Sequence, residues 1–200
     1  MSALRNGSMA IEGRVERVPT DAPKVTFRAG TGEVLAIAVR AAAGPGGRLA
    51  SLLGSGRERY RIDYPDRSEV WVDPKDSAST SVHRADGAVV GTILRATSAT
   101  AVAATGGTLF HFVRDPGTPR TPELARLLVL DRSGGELGCV DIGYAGSDPY
   151  PDRIAVRGLI LRDRVEQDML LGACVDMTLG LRPYCVEREQ GAGHPIPLPE

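Results

Sequence analysis

The stretch EQDMLLGACVDMTLGL, residues 166–181, decides how this chain is read. Placed on a wheel at about 100° per residue, Met169, Leu170, Leu171, Ala173, Cys174, Val175, Met177 and Leu179 cover nearly the whole circumference. One narrow stripe interrupts them, Asp168, Gly172 and Asp176, spaced i, i+4, i+8. Asp163 and Glu166 have capping-box spacing, and Asp168 is expected in the first turn, at the positive end of the helix. Gly180 is set to supply a left-handed terminal residue, and Pro183 cannot continue a helix. A helix of about 15 residues spans about 22 Å, short of the roughly 30 Å of hydrocarbon that a membrane span must cross. Asp176 in its middle makes insertion costlier still. The pattern therefore predicts a helix enclosed by protein, and only strands are on offer to enclose it.

The rest of the chain alternates at the period of strands. Val25 and Phe27 alternate with Thr26 and Arg28 before a GTG turn at residues 30–32, after which EVLAIAV resumes as a second strand. Tyr60, Ile62 and Tyr64 share one face of a strand, with Arg59, Arg61 and Asp63 on the other, and a turn at Pro65-Asp66 leads back through Trp71. SVHRADGAVVGTIL, residues 81–94, carries an Asp-Gly hairpin signal. Strands near residues 99–104 and 109–113 flank Gly106-Gly107. A third hairpin, LLVLDRSGGELGCVDI at residues 127–142, precedes a strand over residues 153–161 that runs into the helix. Aligned on Gly32, Gly87 and Gly134, three hairpins share a polar turn followed by Gly-x-x-x-small, at spacings too irregular for a solenoid.

One domain is expected over residues 23–186, preceded by a partly disordered segment, residues 1–22, in which Ile11, Val15 and Val18 form at most a loosely held strand. Residues 187–200 read as a disordered tail. The longest irregular connection, AAAGPGGRLASLLGSG at residues 41–56, offers Leu49, Leu52 and Leu53 for one helical turn against the core. A net charge of −1 gives no bulk electrostatic case for nucleic acid. Three widely spaced cysteines, Cys139, Cys174 and Cys185, point to a reducing compartment. Glu12, Arg14, Glu16 and Arg17 break up any secretory apolar run. A cytoplasmic location follows as the expectation.

The hairpins VHRADGAVVGTIL and LLVLDRSGGELGCVDI, a final strand and the apolar segment VEQDMLLGACVDMTLGL resemble the tubby-like superfamily, in its phospholipid-scramblase-like and LURP-one-related branches. The resemblance covers residues 59–183. It implies a mainly β fold, a closed antiparallel barrel of about twelve strands around a buried C-terminal helix. Ten or eleven strands can be counted from the residues, so the hairpin at Gly32 has to complete the barrel. The cysteine cluster and terminal membrane anchor of animal scramblases are absent. The implied function is non-enzymatic binding of lipid headgroups or an anionic membrane surface, which would make the protein peripheral to the membrane. Two alternatives stand beside it, a protein-interaction scaffold with an outer apolar patch, and a small-molecule-binding or catalytic open barrel.

No catalytic residue, metal site or cofactor is expected. His83, His111 and His194 share no metal-like spacing. There is no Gly-x-Ser-x-Gly elbow around Ser55, and the glycine-rich stretch before Arg57 lacks a phosphate-loop pattern. Cys139 adjoins a turn without a neighbour to lower its pKa, and Cys174 reads as core. The candidate anion- or lipid-binding residues are Arg48, Arg57, Arg59, Arg61 and Arg67, set beside Leu49, Leu52, Leu53, Tyr60 and Tyr64. Asp168 and Asp176 need partners, because an acidic stripe on an apolar helix costs free energy unless paired or solvated. An arginine or backbone donors inside the barrel would satisfy Asp176.

Overall fold

The computed structural model describes residues 9–17, 23–41, 58–118, 124–145 and 151–180. The strands are β1 (Met9–Glu16), β2 (Lys24–Ala29), β3 (Val34–Arg40), β4 (Tyr60–Asp63), β5 (Glu69–Pro74), β6 (Ser79–Arg84), β7 (Val89–Arg95), β8 (Ala99–Ala103), β9 (Thr108–Arg114), β10 (Leu124–Leu130), β11 (Glu136–Tyr144) and β12 (Pro151–Leu159). A single helix follows, α1 (Arg164–Thr178). Each strand pairs antiparallel with its neighbour in sequence, and β1 pairs with β12, which closes a twelve-stranded barrel. Closure leaves no free edge among these strands.

Alternation along the strands puts the apolar faces inward: Val25 and Phe27, Ala36 and Ala38, Tyr60 and Ile62, Val70 and Val72, Phe110 and Phe112, and Ile154 and Val156 are all buried. The intervening positions, among them Glu12, Arg14, Arg28 and Arg153, face out and are exposed. A membrane-spanning barrel needs the reverse, an apolar band outside. No described helix is long and apolar enough to cross a bilayer.

The lumen is occupied by α1. Every residue from Glu166 to Leu179 is buried, and the helix packs chiefly on β5 and β7, then on β12, β8 and β6. Each fully buried Leu or Met side chain contributes on the order of 1.5–3 kcal/mol. Close approach depends on missing side chains. A Cβ at Gly172 would sit 3.0 Å from Val82 Cγ2, and one at Gly91 on β7 would lie 2.8 Å from Met169 Sδ. Two inward tyrosines, Tyr60 of β4 and Tyr64 just past its end, reach the helix at separate levels: Tyr64 Oη donates to Asp168 (2.8 Å), and Tyr60 Oη to the Leu179 carbonyl (3.1 Å).

Several expectations need correction. The helix begins at Arg164, two residues earlier than residue 166, so Asp168 lies beyond the first turn and Glu166 is its acidic residue. The cap forms as spaced, with Asp163 accepting from the Glu166 N–H (2.9 Å), while Glu166 reaches back to the Arg162 N–H (2.6 Å). Gly180 is not left-handed; the Leu179 N–H caps onto the Val175 carbonyl (2.8 Å), and a Cβ at Gly180 would meet the Asp176 carbonyl oxygen at 2.6 Å. The barrel also starts before residue 23, because β1 pairs with both β2 and β12. The open-barrel alternative fails on the filled lumen, since a ligand cavity there would have to displace α1. The leucine-rich turn within residues 41–56 and the tail, residues 187–200, lie outside the described residues.

Five of the hairpins share one turn. At Gly32, Gly87, Gly106 and Gly134 a glycine with φ between 84° and 88° donates its N–H to the carbonyl three residues earlier. At the β4–β5 turn the same position is filled by Arg67, with φ 65°, whose N–H reaches the Tyr64 carbonyl at 3.0 Å. The likeness seen at three glycines thus extends to five turns, one of them without glycine.

Candidate functional site

Three polar regions carry potential chemistry. The first is inside the barrel. Asp176, fully buried, pairs with Arg95 of β7 and accepts from Thr80 Oγ1 of β6 at 3.2 Å. The Arg95 side chain is itself only 5% exposed, and its Nη1 also donates to Thr80 Oγ1 at 2.9 Å. Asp168 accepts from Tyr64 Oη (2.8 Å) and from Arg164 Nε (2.8 Å). Its Oδ2 is buried without a hydrogen bond, with the Arg84 guanidinium 3.9 Å away. Burial, reinforced by the neighbouring Asp168 charge, holds the Tyr64 phenol well above its ordinary pKa, so it stays a donor. Arg164 stacks on the Tyr64 ring, 3.7 Å from its centroid. These groups join the helix to the barrel wall, and each acid of the stripe has a cation beside it.

The second region is the outer face of β4, β5 and β6. Arg61, Trp71 and His83 are consecutive cross-strand partners there. The Arg59 guanidinium lies 5.0 Å from the Trp71 ring and 3.3 Å from His83 Nε2. Arg61 pairs with Asp63 (2.8 Å), while Asp73 takes Lys75 (2.7 Å) and more distantly Arg59 (3.9 Å). Of the five candidate arginines, Arg59 and Arg61 come together around Trp71. Arg67 stands apart in the β4–β5 turn, and Arg48 and Arg57 lie outside the described residues. The role of Trp71 was not legible in advance, although its place in the sequence two residues beyond Glu69 fixes it on the outward parity of β5.

The third region went unnoticed in the sequence. A groove of about 820 Å³ runs over the outside of β2, β1, β12, β11 and β10. One row of cross-strand partners across it reads Arg28, Glu12, Ala155, Asp141, Arg126, and the next reads Thr26, Arg14, Arg153, Gly143, Leu124. Asp141 is clamped by Arg126 through bonds of 2.6 and 3.0 Å, with Arg157 3.7 Å away. Glu16 is held by Lys24 at 2.9 Å.

The two cysteines among the described residues are not activated as nucleophiles. Burial pushes the Cys174 thiol up to about 12, and burial together with the Asp141 charge raises Cys139. His111 is bonded to Thr100 Oγ1 (3.1 Å) on the outer face. Among the described residues no three His, Cys, Asp or Glu side chains converge as a metal site would require.

No family model matches the chain. No curated protein matches it in sequence. Among solved structures, the chain is similar to the X-ray structure of a protein from Arabidopsis thaliana at 12% identity, over 84% of this chain and 91% of that one, with a TM-score of 0.49. A likeness of that size carries no argument about function.

Proposed function

We propose that this protein is a non-enzymatic module that docks on anionic membrane surfaces through the outer face of β4, β5 and β6. The observation that carries the reading is the placement of Trp71, the sole tryptophan, on that face beneath the Arg59 guanidinium and between Arg61 and His83. An amphipathic ring with cations around it suits the headgroup layer, where tryptophan sits by preference and each nearby arginine adds about 1 kcal/mol on an anionic leaflet. With α1 filling the lumen, binding falls to the outside. The scaffold alternative needs a broad apolar patch, yet among the described residues the exposed large hydrophobics are dispersed: Ile37 on β3, Val89 and Leu94 at opposite ends of β7, and Ile160 beyond β12.

The test is co-sedimentation with phosphatidylcholine vesicles that do or do not contain phosphatidylserine. Binding should require the anionic lipid, weaken with salt, and shift Trp71 fluorescence to the blue. Arg59→Gln should weaken it about fivefold. No binding to anionic vesicles at low salt would sink the reading.

A further inference from the structure

We infer that the groove over β1 and β12 is a separate binding site for a small, water-soluble phosphate monoester carrying hydroxyl groups. The argument starts from an unfavourable arrangement. Arg14 and Arg153 are direct cross-strand partners, both exposed on the outer face, and among the described residues neither has a carboxylate or hydrogen-bond partner. Like charges directly opposite each other destabilise a strand pair. The neighbouring row, by contrast, sets Glu12 beside Arg28 and Asp141 beside Arg126. The row with two arginines is therefore the one that needs an anion from outside.

The surroundings are built to present these two groups. Gly143 of β11 is the cross-strand partner of Arg153, and a Cβ there would overlap Nε and come within 2.9 Å of Cδ. The missing side chain thus lets Arg153 lie across β11, with Arg14 paired to it from β1 on the other side. Two of the groove carboxylates are engaged elsewhere, Asp141 by Arg126 and Glu16 by Lys24. Glu12 and Asp152 remain as groove residues, and the buried Asp152 Oδ1 accepts no hydrogen bond.

Chemistry narrows the ligand. Two planar guanidiniums offer paired donors and two positive charges. A phosphate monoester, with three acceptor oxygens and a charge between about −1.5 and −2 near neutrality, matches both, whereas one carboxylate supplies half the charge. At about 820 Å³ the groove exceeds what bare phosphate would fill. The unbonded Asp152 Oδ1 calls for a donor, which a hydroxyl group on the organic part supplies. This site is distinct from the face around Trp71, so either can fail without the other.

Titration calorimetry with glycerol phosphate, inorganic phosphate and glycerol tests the inference on the whole chain. Glycerol phosphate should bind saturably, more tightly than inorganic phosphate, with glycerol silent and affinity falling as salt rises. Arg14→Gln and Arg153→Gln should each weaken binding at least tenfold and the double variant abolish it, while Arg59→Gln leaves it unchanged. Both sites are exposed, so the variants should fold; the wild-type melting temperature should rise with glycerol phosphate and that of the double variant should not. Absence of saturable binding, or equal binding by the double variant, would overturn the inference. So would phosphate recognition confined to vesicles containing phosphatidic acid, which would make the ligand a lipid headgroup.

Discussion

Asp176 shows what one enclosed charge demands. Its carboxylate and the Arg95 guanidinium are both withdrawn from water, and Thr80 completes the set. Removing one member of such a pair leaves the other buried and uncompensated, at a cost of about 3–5 kcal/mol. Asp176→Ala is therefore expected to lose that much stability in urea unfolding, whereas Arg95→Met combined with Asp176→Leu should recover most of it. Equal losses in the single and double variants would show that the pair is not enclosed. At this scale the sequence was informative about need and silent about partners. The helical wheel marks Asp168 and Asp176 as acids that must be satisfied. It cannot name Arg95 or Tyr64, because they reach the helix only after the strands are in register. The same limit hid Arg14 and Arg153, which are far apart in the sequence and meet only where β1 closes on β12.

Among the elements, the hairpin turns carry most of the local information. Glycine at the left-handed position is legible at Gly87 and Gly134 from their Asp-containing turns, but Arg67 fills the equivalent position with no local signal. An L-residue there costs about 1–2 kcal/mol, partly offset by the greater freedom that glycine loses on folding. Arg67→Gly should accordingly stabilise the protein by about 0.5–1 kcal/mol in thermal unfolding, and destabilisation would mean that the Arg67 side chain makes a contact worth more than the strain. The turns also set the acid response. Asp131 is held below its ordinary value by the Ser133 hydroxyl and then by the Gly135 and Ser133 N–H groups. Asp115 is lowered first by the Thr118 hydroxyl, Asp76 by the Ala78 N–H, and Asp66 by the Ser68 hydroxyl. With folded values depressed, their contribution is present above the ordinary 3.8 and is lost as pH falls below it. The urea midpoint should drop through that range, less steeply in Asp131→Asn; an unchanged slope would remove the turn aspartate from the account. Strand β1 was harder to read because Gly13 breaks its apolar alternation. The structure supplies the reason: a Cβ there would lie 2.7 Å from Ile154 Cγ2 and 2.9 Å from the Phe27 ring. The gap in the pattern is a point of close packing.

For the whole molecule, the decisive fact is that the barrel is filled. An apolar circumference on a helix too short to span a membrane leaves few places for it, and twelve strands wrapped around it are one of them. Closure itself was less legible than the helix, since the pairing of β1 with β12 depends on register across the whole chain. A filled lumen leaves the outer surface as the part open to other molecules, and it also makes helix and barrel one cooperative unit. Neither can bury its apolar face alone. Native-state hydrogen exchange of the α1 amides tests this most directly. If the helix is enclosed, the amides of residues 169–178 should exchange only through global unfolding, with the same free energy and the same denaturant dependence as the amides of β5 and β7. Exchange of α1 through a smaller opening, while the strands stay protected, would contradict the enclosed helix.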